Sequence, residues 1–315
     1  MKESEITKKL KERFCKDCNI SINIFKEPYF TDRLKLLDPY YGTIQKWNTF
    51  VGCLESYRSE QDYFEEYNSI KDAAINFIQN TEAYASFNNK DMNNYHVPVE
   101  YQNIPKKDIF HPSNDGRTFI SIDMKQANFS SLKFYHPGMF DYAKTWEDFI
   151  SSWTNNEHII NSKYIRQVIL GNCNTKRHIT YEKYLMSKVL DLTRNIIPLS
   201  SVVFFSNDEI VFDVTERSFL YDYKQLQRII NIINLPLKIE LFNLYKIKGT
   251  DGYCKEIDHE YSEDSYEFKC LNSYMLPFVI RKLRGEEVTE SDKVFYHEGL
   301  LAKFEEVPDI KIEVI

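Results

Sequence analysis

Glycine is scarce, nine in 315 residues, and no Walker-type or G-x-G-x-x-G run is present, so a glycine-rich phosphate loop is excluded. No apolar run is long enough to span a bilayer. The opening "MKESEITKKLKERF" is too charged for a secretory signal. Positive charge is not in excess: 40 Lys and Arg stand against 47 Asp and Glu, a net charge of −7. That balance gives no global pull toward nucleic acid or an anionic membrane. A nucleic-acid site must then be a local basic surface, or a protein partner must supply one. A zinc pattern is missing too. "CKDC" (15–18) is followed by no second C-x-x-C and no H-x-x-x-H, whereas a structural zinc needs four ligands. The seven histidines show no ligand spacing, and there is no internal repeat. The six cysteines read as reduced thiols in a cytoplasmic or comparable compartment, in a chain neither secreted nor membrane-spanning.

What the chain does have is core material. It is 43% hydrophobic and 15% aromatic, enough for one large or two modest domains. Residues 4–14 read as a short charged helix, and 32–87 as mostly helical from apolar spacings of three and four. The Asn-rich, Pro-punctuated stretch 87–105 marks a boundary. "RTFISIDM" (117–124) is a strand after the turn "HPSNDG". Helical pieces follow at 125–133, 145–153 and about 160–171, then an amphipathic helix at 181–195. A helix at 221–234 and a strand at 235–247 come next, and a helix near 271–284 lies in a mixed, acidic C-terminal part. The expected division is a helical region 1–100, thumb-like or accessory, a central unit 101–250, and a C-terminal extension 251–315. Strand, helices, hairpin, helix, strand from 117 to 247 describes an α+β arrangement, an antiparallel sheet with covering helices.

"VVFFSNDEIVFDV" (202–214) reads as a β-hairpin, two strand-like runs around a tip. Its tip places two carboxylates, Asp208 and Glu209, side by side. Asp123 ends the strand "FISID". If that strand lies beside the hairpin, the three acids meet, and they cannot all stay ionised without cations. Hard oxygen ligands suit Mg²⁺, which takes one or two carboxylates plus substrate phosphates. Two such ions serve phosphoryl transfer.

"IPKKDIFHPSNDGRTFISIDMKQANFSSL" (104–132) resembles motif A of family A DNA polymerases. "VVFFSNDEIVFDV" resembles their motif C, with Asn207 in place of His. "LPLKIELF" (235–242) is similar to their closing palm strand. "SKYIRQVILGN" (162–172) is a weaker match to motif B. There Arg166 takes the Lys place, Leu170 the aromatic place and Ser162 the first Arg place, with Lys163 one residue on. The resemblance covers roughly 104–247, with little chain between motifs B and C and no exonuclease region. It implies an antiparallel polymerase palm with reduced fingers. Asp123 and Asp208 would be the metal ligands for two Mg²⁺ (Mn²⁺ as alternative), with Glu209 assisting at the metal or primer end. Arg166 and Lys163 would face the triphosphate, and Gln126, Asn128 and Leu170 would surround the nucleotide. The implied partners are nucleoside triphosphates and a primer or primer-template.

Each residue also has a plainer reading. Asp208 and Glu209 can be solvated turn charges, and Asp123 a helix N-cap. Arg166 and Lys163 can belong to a solvated helix face, Asn128 can be an ordinary polar helix residue, and Leu170 can be core. "RKLRGEE" (281–287) with Lys255, Lys269 and Lys293 is a basic surface diluted by acidic neighbours. Three functions remain open: a minimal nucleotidyltransferase, a catalytically weak polymerase-like subunit acting as a scaffold, and a metal-dependent nuclease.

Overall fold

The strand expected at 117–124 is β1, Arg117–Met124, and it lies at the centre of the protein's main sheet. The computed structural model describes residues 5–102, 104, 109–258 and 265–312; residues 105–108, in the motif-A-like stretch, lie outside the described residues. Gly116 ends the preceding turn at φ +74°, a conformation that favours glycine, and its N–H bonds Leu244 O at 2.8 Å. The hairpin is β2 (Val202–Phe205) and β3 (Glu209–Asp213). β4 (Leu237–Lys246), β5 (Tyr253–Asp258) and β6 (Ser265–Lys269) complete the sheet. Among the described residues the order is β2-β3-β1-β4-β5-β6, every neighbour antiparallel. The antiparallel sheet inferred from sequence is therefore present, and the chain is mixed α/β. The 250/251 boundary, however, falls inside this sheet, because β5 and β6 extend it.

Alternation along β1 separates two faces. Ile120, Ile122 and Met124 enter the large apolar core shared with the helices, whereas Phe119 joins a smaller cluster with Val211 and Phe242 on the other face. Asp123 follows Phe119 and Ser121 on that second, more open face.

The helices before β1 are α1 (Lys8–Asp17), α2 (Tyr29–Tyr41), α3 (Thr43–Leu54), α4 (Glu60–Gln79), α5 (Glu82–Asn89) and α6 (Val99–Gln102). Between β1 and the hairpin come α7 (Ala127–Tyr135), α8 (Trp146–Ile150), α9 (Glu157–Ile160), α10 (Lys163–Gly171) and α11 (Thr175–Thr193). α12 (Phe219–Ile230) crosses from the hairpin to β4, and α13 (Leu276–Leu283) precedes a small hairpin of β7 (Val294–His297) and β8 (Leu300–Lys303). Side-chain N-caps start many of them: Thr7, Ser59, Thr81, Asn156 and Ser162 each accept from a backbone N–H of the first turn.

One continuous set of buried side chains runs from Leu10 on α1 through Phe50, Leu132, Leu185 and Leu226 to Ile280 on α13. The helical region 1–100 thus shares its core with the helices on the sheet. Arg33 on α2, 6% exposed, reaches Asp292 and the carbonyls of Ser291 and Val294, which ties the C-terminal part to it. Among the described residues, no helix is long and apolar enough to cross a membrane.

Candidate active site

The hairpin tip is organised by Ser206. Its hydroxyl donates to Asp208 Oδ1 at 2.9 Å and accepts from the N–H groups of Asp208 and Glu209 at 3.3 and 3.0 Å. The tip is pinned to β1 by Met124 N–H donating to Asp208 O at 2.8 Å. Glu209, the first residue of β3, stands directly opposite Asp123, and Lys238 of β4 flanks Asp123 on the other side. Asp123 is thus paired with Glu209 across the ladder, and Asp208, but not Glu209, shares a cavity with it. Asp123 is a strand residue and not the cap of α7, whose N-cap is Gln126 at φ +49°.

Burial, then repulsion from Asp208 and Glu240, pushes the Asp123 carboxyl up to about 6, against the pull of Lys238 and Lys255. Burial, then Asp123, pushes Glu209 up to about 7 although Lys255 and Lys269 oppose it. Glu182 on α11 is 4% exposed, and burial raises it too. Its Oε2 accepts from Asn207 Nδ2 at 2.7 Å, so it holds the residue before Asp208.

Asp123 and Asp208 open onto a cavity of about 420 Å³, and Gln126, Asn128, Lys163, Arg166 and Leu170 line it as well. The sequence-derived set therefore gathers around one space, Glu209 excepted. Glu209 belongs to the open sheet face, among the charges of Asp123, Lys255 and Lys269. Gln126 Nε2 donates to Glu147 Oε1 at 3.0 Å, and Asn128 Oδ1 accepts from Phe129 N at 3.0 Å. Burial lowers Arg166, and Glu147 partly restores it. Leu170 borders the cavity but is 0% exposed, so its bulk serves the core.

No family model, curated protein or solved structure matches the chain.

The site's own chemistry is thus the guide. Two or three hard carboxylates, short of positive charge despite Lys238 and Lys255, fit a divalent cation such as Mg²⁺. Among the described residues no ready-made cage of three or more His, Cys, Asp or Glu occurs. A site of one or two carboxylates completed by substrate phosphates does not need one.

α10 aims Lys163 and Arg166 at this space because its start is anchored in a buried polar knot. Asp17 at the end of α1 accepts from Ser162 Oγ at 2.8 Å, Tyr67 Oη at 3.0 Å and His158 Nε2 at 3.0 Å. Ser162, which stands in motif B's first Arg place, is the N-cap of α10.

Glu182, His178, Gln167 and Thr175 also line the cavity and were not singled out from sequence. A signal did exist: 178, 182, 185 and 189 follow helical spacing on one stripe, and all four are buried. A glutamate on an apolar stripe is the exception to notice. The thiols of "CKDC", Cys15 buried and Cys18 half-buried, are both pushed up by burial. Most cations of that C-terminal set are matched by acids. Arg281 pairs with Asp292 and Glu286, Lys255 with Glu240, Lys269 with Glu267 and Lys293 with Glu290.

Proposed function

We propose that the chain is a nucleotidyltransferase resembling a minimal family A polymerase, with the six-stranded sheet as its palm. It would add nucleotides to a nucleic-acid 3′ end. The observation that carries this proposal is the single cavity in which Asp123 and Asp208 share a lining with Lys163 and Arg166. Carboxylates beside cations are what a triphosphate bound through divalent ions requires.

In the proposed reaction the primer 3′-hydroxyl loses its proton to solvent and its oxygen forms a bond to the α-phosphorus of a nucleoside triphosphate. The bond to the bridging oxygen breaks and pyrophosphate leaves. Asp123 and Asp208 would hold two Mg²⁺, or Mn²⁺, which when bound supply charge neutralisation and a more acidic hydroxyl. Arg166 and Lys163 bind the β- and γ-phosphates and stabilise the charge that builds on the leaving group. Gln126, oriented by Glu147, and Asn128 border the sugar. Glu209 acts from the sheet face at the primer end. Glu182 keeps Asn207, and with it the tip, in place.

A primed-template extension assay with Mg²⁺ tests the proposal. Extension supports it. An intact, unextended primer identifies a polymerase-like scaffold subunit, and a shortened primer identifies a nuclease.

A further inference from the structure

A second groove, of about 940 Å³, lies on the other side of α7 between that helix, residues 144–147 and the turn 233–236 that enters β4. Gln126 lines both spaces, so the groove adjoins the candidate site. Lys125, Lys133 and Lys144 line it, against one carboxylate, Glu147, whose Oε1 already accepts from Gln126. Among the described residues none of these three lysines is paired with a carboxylate; Lys133 Nζ donates to the Lys144 carbonyl. By contrast, Lys238, Lys255 and Lys269 on the sheet are all matched by glutamates. Much of the remaining lining is apolar, including Leu235, Pro236 and Phe134, the last 44% exposed.

Unpaired cations beside an exposed ring and an apolar wall match a polymer with a charged backbone and flat apolar faces. A single nucleic-acid strand has both. A duplex hides its base faces, and an acidic peptide offers no stacking surface for Phe134. We propose that this groove holds the unpaired strand of a nucleic acid, with phosphates against Lys125, Lys133 and Lys144 and a base on Phe134. The proposal rests on the nucleotide-transfer reading only for which strand is meant, the one leaving the site past Gln126.

The test is binding of a labelled oligothymidylate to the full chain by fluorescence anisotropy, without metal or nucleotide, across a salt series. Removing one lysine that neutralises a phosphate lowers the slope of log affinity against log salt by about 0.7 for a single strand. The combined Lys125→Gln, Lys133→Gln, Lys144→Gln variant should therefore lower the slope by about 2. Lys125→Gln alone, the gentler change, should lower it by about 0.7. Phe134→Ala should weaken binding roughly tenfold with the slope unchanged. A control removing three lysines outside the groove, Lys35→Gln, Lys90→Gln and Lys282→Gln, makes the same change in net charge and should leave the slope as it was. An unchanged slope in the groove variants, or an equal fall in the control, overturns the proposal. Displacement by polyglutamate as effective as by unlabelled oligothymidylate would assign the groove to an acidic peptide instead. Lysine-dependent binding without any primer extension would refute the transfer reading while leaving the groove intact, and extension with lysine-independent binding would do the reverse.

Discussion

Asp123 and Glu209 face each other directly across the antiparallel β1–β3 ladder. Like charges in that position destabilise a sheet. Burial and then Asp208 push the Asp123 carboxyl up to about 6, and burial and then Asp123 push Glu209 up to about 7. The arrangement costs stability when no cation is bound.

The pH dependence follows. Both groups hold protons more tightly folded than unfolded, so their contribution is fully present below their ordinary carboxylate values and is lost as pH rises through about 6 to 7. The urea midpoint of the metal-free protein should fall between pH 5 and pH 8. Asp123→Asn should reduce that fall and be more stable than the wild type at pH 8 by about 1–2 kcal/mol. Mg²⁺ should raise the wild-type melting temperature at pH 8 more than that of the variant. An identical pH profile in both would show that the pair is not strained.

Asn207 is expected to matter through Glu182. Asn207→Ala removes the 2.7 Å donor from a nearly buried carboxylate. The loss should be about 1–3 kcal/mol in chemical denaturation. Turnover should drop, because the position of Asp208 at the tip depends on this bond. A raised KM with unchanged kcat would place Asn207 in binding instead.

Asp17 anchors α10 from the far side of the core. Its side chain is fully buried and accepts from Ser162, Tyr67 and His158. Asp17→Asn should cost about 3 kcal/mol, and it should raise the nucleotide KM, because Lys163 and Arg166 ride on the helix that Ser162 caps. Ser162→Ala should give a smaller loss, about 1 kcal/mol. Equal melting of Asp17→Asn and wild type would remove the knot from the account.

Sugar choice should be weak. In the resembled family a Glu stands at the place of Asn128 and an aromatic ring at the place of Leu170. Here Asn128 is shorter and uncharged, and Leu170 is wholly buried. A pocket that only lacks a clash discriminates against an added hydroxyl by about 10²-fold at most. Matched ribo- and deoxyribonucleotides should therefore have similar kcat/KM, and Asn128→Glu should shift preference toward deoxy. A native deoxy preference above about a thousandfold would mean that another residue is the gate.

The elements that carry the site were legible because their local signals agree with the fold. "RTFISIDM" alternates, "VVFFSNDEIVFDV" has a polar tip between two β-rich runs, and both carry carboxylates at the strand ends that meet. β5 and β6 were not legible. "YCKEID" and "SYEFK" carry charges whose partners lie on other strands, as Lys255 with Glu240 and Glu267, so they look like solvated loop until the sheet assembles. Glu182 was hidden for the opposite reason: glutamate is ordinary on a helix, and only the packing of α11 buries it. The expected boundary near residue 100 rested on the Asn- and Pro-rich stretch. That composition describes the local chain and says nothing of a core running from Leu10 to Ile280.

The central claim is that Asp123 and Asp208 serve nucleotide transfer. It is tested most directly by following incorporation of an α-labelled nucleotide onto a primed template with the wild type, Asp123→Asn and Asp208→Asn, each with Mg²⁺ and with chelator. The account expects Mg²⁺-dependent incorporation by the wild type and loss of at least about a thousandfold in either variant, with melting temperatures equal to or above the wild type. Wild-type-like incorporation by a folded Asp123→Asn or Asp208→Asn, or incorporation that persists in chelator, would contradict it.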